Sequence, residues 1–166
     1  MTLPHAPERT LEQQLGKIAG LISSDRFPPG HRAALRRMSP GQPLPLDFYR
    51  FALNCLPEGW EHNIEDWTAV VAGIALMSPN AHNPSVGFGT ALGEVGYSEL
   101  RLERLLAAEE GVRRILFLRA VRFLAAKSQA FNWAEGARFL LTRDEEKRQA
   151  LNLRIATDFY KKADKE

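Results

Sequence analysis

From Ser85 to Lys127 the chain reads SVGFGTALGEVGYSELRLERLLAAEEGVRRILFLRAVRFLAAK, three helical patterns in succession with Gly96 and Gly111 as the stops between them. The first two carry narrow apolar stripes. The third is apolar around most of its circumference, as a helix at the centre of a bundle is. Arginines are threaded through this apolar sequence at Arg101, Arg104, Arg113, Arg114, Arg119 and Arg122. Such a stretch leaves few options. Each apolar face needs a helical partner, and each guanidinium must reach water, a carboxylate or an external anion. The prediction is an all-α fold whose long central helix, Val112 to Lys127, belongs to a hairpin that presents spaced arginines.

The rest of the chain agrees in type. Thr10 and Gln13 form a capping box ahead of the stripe Leu11, Leu15, Ile18 and Ile22. A short helix, HRAALRRM, lies between Pro28-Pro29-Gly30 and Ser39-Pro40-Gly41, with Arg32 and Arg36 one turn apart and Arg37 beside them. Asp47 to Leu56 reads as a helix. Asn63 is placed to cap the next, whose stripe includes Ile64, Trp67, Val70, Val71, Ile74 and Ala75. SPNAHNP, residues 78–84, is a loop by composition and the expected boundary between a small N-terminal helical subdomain (1–77) and a C-terminal helical bundle (85–166). Beyond it, Ser85, Ser98 and Asn132 are expected helix caps, and Thr142 with Glu145 a second capping box for the closing helix, to about Lys162. The tail KKADKE is expected to fray. No segment alternates with period two, so no sheet is expected.

Composition excludes several classes. Cys55 is the only cysteine, so neither an internal disulfide nor a cysteine-based zinc site can form, and it reads as a small apolar helix residue. MTLPHAPERT lacks an apolar leader core, and no apolar run approaches the ~20 residues of a membrane span. The longest run, Ala69 to Met77, has the length of a buried helix segment. These features lead to an expectation of a cytoplasmic protein without membrane contact. The net charge is only +2, unevenly spread: residues 1–96 hold 7 Lys/Arg against 9 Asp/Glu, residues 97–166 hold 15 against 11. A basic patch must therefore be argued from helix faces.

Catalytic groups are not evident. His5, His31, His62 and His82 fall at no metal-ligand spacing, and His62 and His82 read as solvated loop residues rather than bases. Gly87-Phe88-Gly89 lacks the third glycine of a dinucleotide fingerprint and follows a loop, not a strand. There is no Gly-x-Ser-x-Gly elbow. Glu109-Glu110 and Glu145-Glu146 sit at helix ends, where acidic residues are common. No catalytic activity, cofactor or metal is expected.

The arginines carry the remaining signal. Arg113 and Arg114 occupy a helix start, which disfavours cations, and either a phosphate or neighbouring carboxylates would offset that. Arg119 and Arg122, one turn apart in an apolar helix, pair with Glu103, Glu109 or Glu110, snorkel, or meet phosphate. Arg32, Arg36 and Arg37 have no acidic neighbour within their own helix. Arg104, Arg122 and Arg148 are added from face geometry. Spaced arginines on helices, with no base-reading element, imply sequence-independent contact with a nucleic-acid backbone. The other possibility is a helical protein–protein adaptor whose arginines are satisfied internally.

In order along the chain, GHRAALRRM, FALNCLPEGWE, GFGTALGEVGYSELRLERLLAA, LRAVRFLA with a following Asn-Trp, and RIATDFY resemble the CasB family, the small subunit of the type I-E CRISPR Cascade complex. The resemblance spans residues 30–160. Its most specific piece has Gly89, Leu92, Gly96, Ser98, Glu99, Arg101, Arg104, Leu105 and Leu106 in register. Ile155 and Thr157 stand where the family often has Trp and Arg. The resemblance implies a non-catalytic subunit, two copies head to tail, packed against the complex's backbone and large subunits. It implies contact with guide RNA, target DNA and the displaced single strand, stabilising the R-loop in antiviral defence. Arg36, Arg37, Arg101 and Arg119 are the nucleic-acid contacts it implies.

Overall fold

The computed structural model describes residues 10–164. These form nine α-helices: α1 (Leu11–Ser23), α2 (Pro29–Arg36), α3 (Leu46–Cys55), α4 (Ile64–Met77), α5 (Phe88–Glu94), α6 (Glu99–Ala107), α7 (Glu110–Ala126), α8 (Trp133–Leu141) and α9 (Glu145–Ala163), with a 3₁₀ turn at Trp60–Asn63 leading into α4. The described residues contain no strand, only an isolated bridge between His82 and Phe131. The fold is all-α, as the helical spacing predicts. Residues 1–9, His5 among them, and the last two residues of KKADKE lie outside the described residues.

The centre belongs to α4, not to α7. Every residue of α4 from Asp66 to Ala75 is buried, and so is Met77. The reason is in the sequence: no charged residue occurs after Asp66 in this helix, so all its faces can be covered. Helix α7 packs against α4 and buries Phe117, Leu118, Ala120, Val121 and Leu124, and its other face carries exposed Val112, Ile115, Arg119 and Arg122. Arginines every third or fourth residue keep one side of α7 in solvent, so it forms a wall of the bundle rather than its axis. Gly111 is no stop; it lies in the first turn of α7.

Around this axis an aromatic cluster of Phe88, Phe117, Phe131, Trp133 and Phe139 fills the space between α5, α7 and α8, neighbouring ring centroids lying 4.7 to 6.2 Å apart. Helix α5 lies directly on α9. A Cβ at Gly89 would come within 2.1 Å of the Ile155 carbonyl oxygen, and one at Gly93 within 2.6 Å of that of Phe159. Glycines one turn apart thus let two backbones touch, which no larger residue permits.

The continuous core draws on α1, α2, α3 and α4 as well as α5 to α9. The loop at 78–84 is fixed by the helix that follows it in space. The Trp133 indole N–H donates to the Ala81 carbonyl at 3.0 Å, and the Trp133 amide donates to His82 Nδ1 at 3.1 Å. His82 is thus a half-buried acceptor rather than a solvated loop residue, and burial pushes its pKa down. His62 is exposed, as expected.

Local signals account for most helix ends. The Thr10–Gln13 capping box forms, Ser98 accepts from the Arg101 amide, and Asn132 accepts from the Ala134 amide. Three expected caps differ. Ser85 lies in a turn stabilised by the Asn83 side chain, and Gly87 precedes α5. Asn63 precedes α4 without a side-chain capping bond. Asp144, not Thr142, caps α9 by accepting from the Lys147 amide, a carboxylate being the stronger acceptor at a helix's positive end.

Candidate nucleic-acid interface

Helices α6 and α7 pack as the expected hairpin. Leu102 and Leu105 are buried, so Arg101 and Arg104 stand on the outer side of α6. The burial of Phe117, Leu118 and Val121 leaves Arg119 and Arg122 on the outer side of α7. Between the helices lies a groove of about 430 Å³ lined by Tyr97, Arg101, Arg104, Leu116 and Arg119. Arg122 continues the exposed face one turn further along α7. None of these four arginines takes part in an ion pair among the described residues.

Their freedom follows from how α6 distributes its charge. Glu99 and Glu103 are four residues apart and share a face. The acidity of the exposed Tyr160 phenol is reduced chiefly by Glu99, with Asp164 and Glu103 contributing, so that face of α6 looks toward α9. Arg101 and Arg104 occupy the opposite side. Carboxylates and guanidiniums are thereby separated on a single short helix.

The floor of the groove is set by the end of α5. Gly96 adopts a left-handed conformation, φ 70°, which a glycine tolerates without strain. Its amide donates to Gly93 O at 3.3 Å and the Tyr97 amide to Leu92 O at 3.0 Å, the paired bonds of a helix closed by a left-handed residue. This turn buries the Tyr97 ring, only 7% exposed, edge-on against Phe123 with centroids 5.3 Å apart. Ser98 then starts α6 at once. Sequence reasoning assigned Tyr97 no role; its position directly after Gly96 was the available signal.

The other arginines expected to meet nucleic acid are placed differently. Arg113 is a correction. It is 3% exposed, its Nε donates to the Phe139 carbonyl at 3.0 Å, and its guanidinium lies 3.7 Å from the Phe139 ring centroid. Burial lowers its pKa to about 10, with Arg148 and Arg143 adding to the effect. No phosphate can reach it. Arg32 donates to the Ile22 and Ser24 carbonyls, both at 2.8 Å, and closes the end of α1. Arg148 donates to the Thr142 carbonyl at 2.8 Å, within 4.0 Å of Glu110. Both are committed internally and stand apart from the groove. Arg36 donates one bond to the Ala75 carbonyl at 2.8 Å but remains exposed. Arg37, at the end of α2, is exposed and free of ion pairs among the described residues.

Arg114 has the partners that a buried cation requires, though not the expected ones. Its Nε lies 2.7 Å from Asp66 and its Nη1 2.8 Å from Glu65, and Arg143 contacts the second oxygen of Asp66. A second concavity, about 190 Å³, lies between α1, α2 and α3, lined mainly by Leu21, Phe27, Leu35, Phe51 and Cys55, and contains none of the candidate arginines. Among the described residues no cluster of His, Cys, Asp and Glu could hold a metal ion, and no helix is long and apolar enough to cross a membrane.

Comparison with known proteins adds one match. No curated protein is significantly similar to the chain. The profile of the family described as CRISPR-associated protein Cse2 matches residues 31–160, most of the chain and all of α3 to α8, including the groove. The all-α architecture and this match agree with the resemblance carried by the GFGTALGEVGYSELRLERLLAA motif, and the chain belongs to the Cse2 (CasB) family, the small subunit of type I-E CRISPR Cascade.

Proposed function

We propose that this small subunit contacts nucleic-acid backbones through the α6–α7 groove, and so stabilises the guide–target duplex and the displaced strand of an R-loop. The observation that carries the reading is the set of four guanidiniums without an ion pair among the described residues, Arg101, Arg104, Arg119 and Arg122, on one side of the hairpin with Glu99 and Glu103 turned away. Base pairing between guide and target reads sequence in such complexes, so the protein needs only phosphate contacts. Exposed Arg36 and Arg37 at the end of α2 are further proposed phosphate contacts. The protein acts without catalysis, in the cytoplasm, beside Cascade backbone and large subunits and a second copy of itself.

The test is binding of the full chain to a labelled single-stranded oligo(dT) probe over a range of salt. The parent should bind in a salt-dependent manner. The combined Arg101→Gln, Arg104→Gln, Arg119→Gln and Arg122→Gln variant should lose most of that binding while keeping its helicity. Its log Kd against log salt should flatten by roughly 0.7 for each phosphate contact removed. A variant that binds as the parent does would overturn the reading in favour of a protein–protein adaptor.

A further inference from the structure

We propose that Tyr97 is itself a ligand in the groove: its hydroxyl donates a hydrogen bond to a phosphate oxygen held between Arg101 and Arg119. The groove is then a discrete phosphodiester site rather than part of a uniform basic surface. This inference rests on the nucleic-acid reading of the groove and sharpens it.

Three observations converge on it. The ring is buried and locked, between the Gly96 turn on one side and Phe123 on the other, so the hydroxyl is carried on a rigid arm. The residue lines the groove with Arg101, Arg104 and Arg119, and its phenol lies within the field of Arg101 and Arg119 while forming no hydrogen bond to another described residue. Two cations and a neutral donor converging on one concavity match the chemistry of a phosphodiester, which offers two anionic oxygens and further acceptor lone pairs. Burial raises the phenol's pKa, more than the two arginines lower it, so the group remains a donor at neutral pH. A helix surface that bound phosphates by charge alone would need no hydroxyl at its floor.

The experiment separates the hydroxyl from the charges. Full-length protein carrying Tyr97→Phe keeps the ring and its contact with Phe123. It should bind labelled oligo(dT) about ten- to a hundredfold more weakly than the parent, the effect of one hydrogen bond to a charged acceptor. The slope of log Kd against log salt should not change, because no charge is lost. Arg119→Gln should lower affinity and also flatten the slope by about 0.7. Placing a ring-fluorinated tyrosine at position 97 supplies a second readout should Tyr97→Phe fold poorly. Its more acidic phenol ionises at lower pH, and binding should weaken as pH rises through that ionisation, with the parent unaffected. Unaltered affinity in Tyr97→Phe alongside a weakened Arg119→Gln overturns the role of Tyr97 and leaves the groove reading standing. If Arg119→Gln also binds like the parent, the groove reading itself falls.

Discussion

Asp66 shows how single residues fix this structure. Its carboxylate is 2% exposed and faces Arg114 and Arg143. Removing one member of a buried ionic group strands the others, which costs about 3–5 kcal/mol. Asp66→Asn should therefore lower stability by about that amount in urea titration, with little change in the exposed groove residues. The pairing could not be read from local spacing, since Arg114 and Asp66 are 48 residues apart. Arg113 was illegible for the same reason: its carbonyl acceptor and its aromatic platform both belong to Phe139, 26 residues on. Arg101, Arg104, Arg119 and Arg122 were legible because their neighbours on the same helices state which side is buried. His82 supplies a pH-dependent contribution. Its folded pKa lies below the ordinary 6.5 because burial disfavours the cation, and the neutral ring accepts the Trp133 amide. That stabilisation is complete above about pH 6.5 and is lost as pH falls through the folded pKa. Melting temperature measured from pH 7.5 down to pH 5 should fall less steeply in His82→Asn than in the parent.

At the scale of helices, arginine has a second use here. Arg32, Arg36, Arg113, Arg143 and Arg148 each donate to a carbonyl at or near the C-terminal end of α1, α4 or α8. Helix ends leave carbonyls without partners and carry partial negative charge, and a guanidinium answers both. Much of the chain's basic character is therefore internal, which a count of charges cannot reveal. The α5–α9 contact is the other device at this scale. Gly89→Ala would drive a methyl group into the Ile155 carbonyl, and should destabilise by about 1–3 kcal/mol through forced separation of the two helices, measured by denaturant titration. Gly96→Ala meets open space but must hold φ 70°, so strain of about 1–2 kcal/mol is expected. Both positions appear in the GFGTALGEVG segment, where sequence alone marks glycines but cannot say which is a turn and which is a contact.

Across the whole molecule, the core passes through α4 to helices on both sides of 78–84, and Ala81 and His82 are bonded to Trp133. Thermal unfolding should accordingly appear as one transition, with calorimetric and van't Hoff enthalpies equal; two resolved transitions would instead support a division at that loop. The helical class was legible because periodicity is a local property. The identity of the central helix was not, because it depends on which faces find partners, and α7 looked sufficiently apolar until its arginines are seen to need one side free. The two-sided charge of α6 has a last consequence. A polyanion seated on Arg101 and Arg104 meets a bank of carboxylates at Glu99 and Glu103 if it tries to cross the helix. The lane is therefore closed along one edge. On the proposed reading, a strand entering it runs with α7, past Arg119 and Arg122.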